Sequence, residues 1–316
     1  MATVRRGASI DLGTNTFLLL VADVDDGKIE PVIEREEIIR LGKGVDAAGN
    51  ISAEAMARGM RCLEEYAAQA RAFGVETIYA SGTSALRDAR NREVFRNQVR
   101  EKLEVDVEII SGEDEARYTY RGALSCASAN IENLTLIDIG GGSTEVVVGN
   151  REEIIATRSV DIGSVRVTER FFHSDPIKPA EMDAARHTVR QAIREYDSLL
   201  KDRRSGALLG VAGTITTLAA IAQKLPEFDP KKIDGYWLSR CQVEDILEML
   251  AVLPLARRRN VPGLRPERAD VIVAGALILE TFMADFSFDR LLVSQRGLRY
   301  GFLMEKMFNE QARKRE

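Results

Sequence analysis

The chain carries one hairpin pattern twice. SIDLGTNTFLLLVADVDDGKIE (Ser9 to Glu30) and LIDIGGGSTEVVVGNREEII (Leu136 to Ile155) each bring an apolar run to an aspartate, pass through a tight turn of small polar residues, and return in a second apolar run. Aligning Asp11 with Asp138 puts Gly13 on Gly140, with short side chains at the other turn positions. A turn of Gly, Ser and Thr exposes backbone N–H groups that can cradle phosphate oxygens. The copies differ where the first has Leu18 and the second Glu145. With Gly140 to Ser143 as the loop, Asp138 and Glu145 are predicted to face each other across the ladder, where like charges directly opposite are destabilising. A cation is expected between them, and hard oxygen ligands beside a phosphate cradle suggest magnesium.

The duplication extends past the hairpins. A helix is predicted from about Ser52 to Gly74, with Ser52 as N-cap and Met56, Met60, Leu63 and Ala67 near helical spacing. TIYASGTSALRDA (Thr77 to Ala89) then reads as strand, glycine turn and helix start, and LLGVAGTITTLAAI (Leu208 to Ile221) repeats it. A third pair matches VEIISGEDEAR (Val107 to Arg117) with LLVSQRGLR (Leu291 to Arg299). The second half carries a helical insertion, about 222–266, containing Arg257-Arg258-Arg259, with Arg265 and Arg268 close by. A length of 316 residues fits two domains, placed at 1–129 and 130–298. Two homologous α/β halves imply a cleft between them, and open α/β sheets bind ligands beyond the carboxyl ends of their strands.

Composition excludes several classes. A hydrophobic fraction of 45% with 29% charged residues is that of a soluble globular protein. No apolar stretch approaches the roughly 20 residues that span a bilayer, and MATVRR leads directly into the first strand, leaving no room for a signal peptide. Cysteines at 62, 126 and 241 form neither a zinc pattern nor an even disulfide set, which fits a cytoplasmic chain with reduced, mostly buried thiols. A net charge of −5 argues against general nucleic-acid binding while leaving room for a local basic patch that holds a polyanion. His173 and His187 read as surface residues, so phosphohistidine chemistry has little to work with. No cysteine has an arginine six positions later, and Gly42-Lys43 lacks the rest of a P-loop. Asp23 to Gly27 reads as an Asp-Gly turn closing the first hairpin rather than as an aspartyl-phosphate site.

Together DLGTNTF, GTSALRDA, IISGEDEAR, IDIGGGSTE, DIGSVRVTERF, GVAGTITTLA and the terminal GLRYG resemble the exopolyphosphatase and guanosine-pentaphosphate phosphatase family, from about residue 9 to residue 303. The resemblance implies two duplicated actin-like, ribonuclease H-like α/β domains, with a closing helix, about 299–316, that returns to the first. Two departures stand out. Longer members carry an added helical module, and the terminal motif usually reads Gly-Leu-Arg-Glu-Gly where this chain has Tyr300.

Carried over residue by residue, the resemblance makes Glu115 the group that positions and activates the attacking water. Around it, Ser111 can cap the helix, Glu113 and Asp114 suit its first turn, and Glu113 finds Arg117 at i+4. Asp138 and Glu145 resemble the family's magnesium-binding pair, with Gly140, Gly141, Gly142 and Ser143 as the phosphate turn. Arg87 matches its phosphate-binding arginine. A cation in the first turn of a helix opposes the helix dipole, and an anion at Gly82-Thr83-Ser84 would relieve that and use the free N–H groups. Asp11, Thr14, Asn15, Gly213 and Thr214 complete the cradle by similarity, and Arg166 is a weaker candidate for neighbouring phosphates.

The implied chemistry is Mg²⁺-dependent hydrolysis of a terminal phosphoanhydride, with charge on the equatorial oxygens offset by cations and turn amides. The expected substrate is inorganic polyphosphate, releasing orthophosphate. Guanosine pentaphosphate, a stringent-response nucleotide, is the alternative within the same reaction class. A non-catalytic polyphosphate or nucleotide sensor is the alternative outside it, disfavoured by the presence of Glu115, Asp138 and Glu145. A kinase is discounted because the Glu115 motif resembles the hydrolases. A homodimer is compatible with the resemblance. Arg257, Arg258, Arg259, Arg265 and Arg268 are candidates for the polymer tail, set against a solvated helix end.

Overall fold

The computed structural model describes residues 4–25, 28–125, 134–201 and 206–313, with side chains through Glu310. It divides into two units, Met1–Ala127 with Arg296–Glu316, and Ser128–Gln295. Asp26, Gly27 and Cys126 lie outside the described residues, and with them the Asp-Gly turn and one of the three thiols.

Unit 1 begins with an antiparallel meander, β1 (Arg5–Leu12), β2 (Thr16–Asp25) and β3 (Lys28–Ile38). A short α1 (Val45–Ala48) and α2 (Ala53–Ala72) lead to β4 (Ile78–Gly82), which runs parallel to β1. After α3 (Ser84–Asp88) and α4 (Arg92–Leu103), β5 (Val107–Ile109) pairs parallel with β4 and hands over to α5 (Gly112–Leu124). The sheet order is β3-β2-β1-β4-β5. The amphipathic stripe of α2 explains its docking: Met56, Met60, Leu63 and Ala67 are all buried, and Ser52 Oγ accepts from the Ala55 N–H at its start.

Unit 2 repeats the plan with β6 (Leu134–Ile139), β7 (Thr144–Gly149) and β8 (Ile154–Val160), followed by α6 (Ser164–Phe171), α7 (Pro179–Ile193) and α8 (Asp197–Leu200). Then come β9 (Ala207–Val211), α9 (Ala212–Ala222), α10 (Pro230–Ile233), β10 (Trp237–Ser239), α11 (Arg240–Ala251), α12 (Leu255–Arg258), α13 (Ile272–Asp285) and β11 (Arg290–Val293). Its sheet order is β10-β11-β9-β6-β7-β8. Read from the other edge, β8-β7-β6-β9-β11 is the order of unit 1, so each unit has the actin-like, ribonuclease H-like arrangement. The apolar helix α13 is buried nearly all round and forms the middle of this unit's core. The insertion is not wholly helical. It adds β10 as an edge strand antiparallel to β11, and with only Leu238 of its three residues buried it offers no alternation to read.

The last helix, α14 (Leu298–Arg313), belongs to unit 1 and packs against α5 and across β1 and β2. Helix and helix meet through glycine: a Cβ on Gly122 would strike the Gly297 carbonyl, and one on Gly301 the Tyr118 carbonyl. The same packing accounts for Tyr300. Its ring is buried among Leu20, Ala22, Val24, Ile29, Leu303 and Met307, while its hydroxyl donates to Glu34 Oε1 at 2.8 Å. Glu34 also pairs with Arg299. Thus a carboxylate on β3 meets Arg299, and position 300 is free to be an aromatic core residue. Burial pushes the Glu34 carboxyl up, but Arg299, Tyr300 and Arg296 together hold it below its ordinary value.

Among the described residues no helix is long and apolar enough to cross a membrane. Of the two described thiols Cys62 is buried and Cys241 exposed, and both histidines are exposed. The expectation of mostly buried thiols therefore holds for one of the two, because Cys241 lies in the first turn of α11 on its solvent side.

Candidate active site

In unit 1 three segments converge at the carboxyl ends of β1 and β4. The turn after β1 is closed by the Gly13 N–H donating to the Thr16 carbonyl at 3.1 Å, and it is gripped by the loop after β3. There the Ile39 and Arg40 N–H groups donate to the Asn15 carbonyl, and the Gly42 N–H donates to the Thr14 carbonyl. A Cβ on Gly42 would collide with Thr14 Cγ2 and crowd Ala85, so the first turn, the Gly42 loop and the start of α3 touch. Asp11 lies beside Ser81 in the parallel register, and Leu12 beside Gly82. Thr83 donates through its backbone N–H and its hydroxyl to the Leu12 carbonyl.

The side chains of Asn15, Ser81 and Ser84 are buried here, and among the described residues Asn15 Nδ2, Ser81 Oγ and Ser84 Oγ have no hydrogen-bond partner. Each such group costs about 1–3 kcal/mol when left dry. A ligand rich in oxygen acceptors would recover that cost. Of these three, Ser81 was not among the residues singled out by sequence, since a serine inside a strand carries no local mark of function.

Glu115 lies in the first turn of α5, whose cap is Ser111 accepting from the Asp114 N–H. Arg117 is engaged by Asp114 at 2.9 Å rather than by Glu113, as i,i+3 geometry suits the shorter acid. Glu115 itself is buried and bound by Arg87, with Nη1 2.6 Å from Oε2; the same Nη1 donates to the Ile110 carbonyl at 3.0 Å. Burial pushes the Glu115 carboxyl up from its ordinary value, and Arg87 pulls it back only in part. The dipole argument for Arg87 does not hold. Helix α3 ends at Asp88, so Arg87 sits in its last turn, where a cation is favourable.

In unit 2 the turn after β6 is closed in the same way, the Gly140 N–H donating to the Ser143 carbonyl at 3.0 Å. The ladder pairs Asp138 with Glu145, both buried. Ser159 Oγ, from β8, donates to Glu145 Oε1 at 2.7 Å; this serine also escaped the sequence reading. The glycine turn is held from behind by α6. The Ser164, Val165 and Arg166 N–H groups donate to the Gly140 and Gly141 carbonyls, and Arg166 Nε donates to the Gly142 carbonyl at 2.9 Å. Arg166 thereby fixes the turn's carbonyls in place. Among the described residues no group of three or more His, Cys, Asp or Glu side chains is arranged to hold a metal ion. Two carboxylates are what a magnesium ion needs when phosphate oxygens and water fill its remaining positions, so Asp138 and Glu145 fit that ion.

The arginine cluster does not act as a block. Arg258 is buried, and its guanidinium donates to the Leu250, Leu253 and Ala269 carbonyls, so it is a structural clamp and leaves the set of tail candidates. Burial lowers its pKa from the ordinary value. Arg257 and Arg259 are exposed on either side, and Arg265 is half-buried. Arg268 is buried against Gly213, where a Cβ would run into its guanidinium. It thus faces the start of α9, which Ala212 enters with a positive φ of 70°. Thr214 is buried behind it, against Gly275. A guanidinium at the positive end of a helix favours an anion at that corner.

Residues 20–310 match the Ppx/GppA phosphatase family. The chain is 36% identical over 315 residues to exopolyphosphatase 2 of Mycobacterium tuberculosis, covering 95% of this chain and 98% of that protein. It is 31% identical over 313 residues to the guanosine-5'-triphosphate,3'-diphosphate pyrophosphatase of Pseudoalteromonas translucida, covering 98% of this chain and 61% of that protein. Among solved structures, an exopolyphosphatase from Cytophaga hutchinsonii is similar with a TM-score of 0.89 at 28% identity, covering 96% of this chain and 98% of that one.

Proposed function

Because the chain belongs to the Ppx/GppA phosphatase family and is a phosphoanhydride hydrolase, we propose that its substrate is inorganic polyphosphate and its product orthophosphate. The observation that carries the chemistry is the buried Asp138 and Glu145 pair beside the Gly140 to Ser143 turn, an arrangement that folding alone disfavours. The choice of polymer is supported by the exopolyphosphatase relative, which matches end to end, whereas the chain spans about three fifths of the guanosine-nucleotide relative.

In this reading the terminal phosphate lies in the cradle of Asp11, Thr14, Asn15, Gly82, Thr83 and Ser84 and meets Arg87. Asn15, Ser81 and Ser84 supply donors that find no partner among the described residues. Water attacks the terminal phosphorus in line with the bridging oxygen, Glu115 takes its proton, the new P–O bond forms and the bridging bond breaks toward the shortened polymer. Asp138 and Glu145 would hold a magnesium ion, which when bound offsets charge on the phosphate oxygens. Gly140 to Ser143 presents backbone amides to neighbouring phosphates, with Arg166 bracing the turn, and Arg268 with Gly213 and Thr214 forms a further anion-favouring corner.

Orthophosphate release from polyphosphate, guanosine pentaphosphate and ATP, measured side by side with magnesium and with excess chelator, tests the reading. Polyphosphate is expected to show the highest kcat/KM and to lose its turnover in chelator. A preference for guanosine pentaphosphate of about tenfold or more, about 1.4 kcal/mol in transition-state binding, would reassign the substrate. Binding of polyphosphate with no turnover would make the chain a sensor.

A further inference from the structure

Two roles assigned above meet in one contact. The guanidinium meant for phosphate, Arg87, holds the carboxylate meant for water, Glu115, through Nη1 and Oε2 at 2.6 Å. A carboxylate in a charge-assisted bond to arginine is a weakened base, because the cation favours the ionised form and lowers its affinity for a proton. Resting on the reading of Glu115 as the base, we propose that Arg87 changes partner: an incoming phosphate draws its guanidinium away from Glu115, so the base is released only when phosphate is bound.

The surroundings favour exchange. Both side chains are mostly shielded, Arg87 at 19% and Glu115 at 11% exposure, so the pair is little screened and a competing anion is strongly felt. A terminal phosphate offers more charge and more acceptor oxygens to the planar fork than one carboxylate does. The Ile110 carbonyl, which also accepts from Nη1, is a neutral anchor that keeps the guanidinium nearby during the change. Among the described residues the neighbouring cations are engaged elsewhere: Arg92 Nη1 donates to the Arg87 carbonyl at 2.7 Å. On α5, Glu113 and Asp114 precede Glu115 and Arg117 is engaged by Asp114; α14, packed against α5, brings Glu305 to Arg121 and Lys306 to Glu108. With the cation gone and an anion arrived, Glu115 binds a proton more tightly, which suits a group that must take one from water.

The test follows the Glu115 carboxyl carbon by NMR through a pH titration of the full chain in chelator, assigned with Glu115→Gln, without and with saturating orthophosphate. The expected result is a midpoint at least about one pH unit higher with phosphate bound. In Arg87→Gln the midpoint is expected to be high already, and phosphate should move it much less. Parallel kinetics should place the acid limb of kcat above that of kcat/KM. An unchanged or lowered midpoint in the wild type, with phosphate binding verified by calorimetry, would show that Arg87 bridges both groups and overturn the exchange. Failure of orthophosphate to bind at all would overturn it too. These titrations need no turnover. If the midpoint rises but neither polyphosphate nor guanosine pentaphosphate is hydrolysed, the substrate reading fails and the exchange stands; hydrolysis with an unmoved midpoint gives the reverse.

Discussion

The two hairpins are alike down to the bond that closes them, Gly13 to Thr16 at 3.1 Å and Gly140 to Ser143 at 3.0 Å. Their ladders set Asp11 opposite Leu18 in one and Asp138 opposite Glu145 in the other. The contrast runs against burial: Leu18 is half-buried whereas Glu145 is 0% exposed. A fold choosing for stability alone would bury the leucine and expose the acid. The inversion is what the proposed metal-holding role of Glu145 accounts for. The strand-to-helix corners differ as well. Unit 1 joins Arg87 to a buried acid, while unit 2 lays Arg268 over Gly213 at the start of α9. Duplication thus provides two like turns, and the acids each half carries differ: the proposed base lies in unit 1 and the proposed metal pair in unit 2.

The strongest way to break this contrast is to erase it. Glu145→Leu gives the second hairpin the side chain of the first. It should cut phosphate release by roughly 10³-fold, the equivalent of several kcal/mol of lost transition-state stabilisation. It should not lower the thermal midpoint, because an apolar side chain replaces a buried charge. Turnover near wild type would remove the metal from this hairpin.

Glu115→Gln sharpens the other half of the comparison. Turnover should fall by at least roughly 10²-fold with polyphosphate affinity nearly intact. With Glu115 as the proposed base, wild-type activity needs the ionised carboxylate, whose pKa burial raises, so activity should be lost as pH falls through a limb above the ordinary carboxylate range. That limb should vanish in the variant. A loss confined to affinity would make Glu115 a substrate contact.

Arg258→Met asks whether the insertion's central arginine is structural. Three carbonyls lose their donor, so a cost of about 2–3 kcal/mol is expected in urea unfolding, with the variant's KM unchanged once folded. A raised KM at full stability would return Arg258 to the substrate path.

The smallest effect belongs to the exposed neighbours. Reversing Arg257 and Arg259 to Glu should raise KM for long polyphosphate a few-fold more than for tripolyphosphate, and the difference should shrink with added salt. Equal effects on both lengths would leave these arginines as a solvated helix end.

Much of this was legible because it is local. A Gly-rich turn between apolar runs dictates a hairpin and its register within about ten residues, so the facing of Asp138 and Glu145 follows from the spacing alone. The caps at Ser52 and Ser111 are equally short-range signals. Less was visible where a feature is short. Helix α3 stops one residue after Arg87, which reverses the dipole argument, and β10 has too few residues to show a period.

Sequence by itself determined the doubled hairpin, the strand–turn–helix corners and the set of acids, arginines and glycines offered to a phosphate. Tertiary structure alone decided which of them touch. It set Arg87 on Glu115, 28 residues away, and Arg268 on Gly213. It also turned Arg258 inward between two exposed arginines, and brought Glu34 to Tyr300 across 266 residues. Turn chemistry and periodicity act through a residue's immediate neighbours. The partner of a buried charge is chosen by whichever donors and acceptors the packed elements carry to it, a property of the whole core that no local pattern encodes.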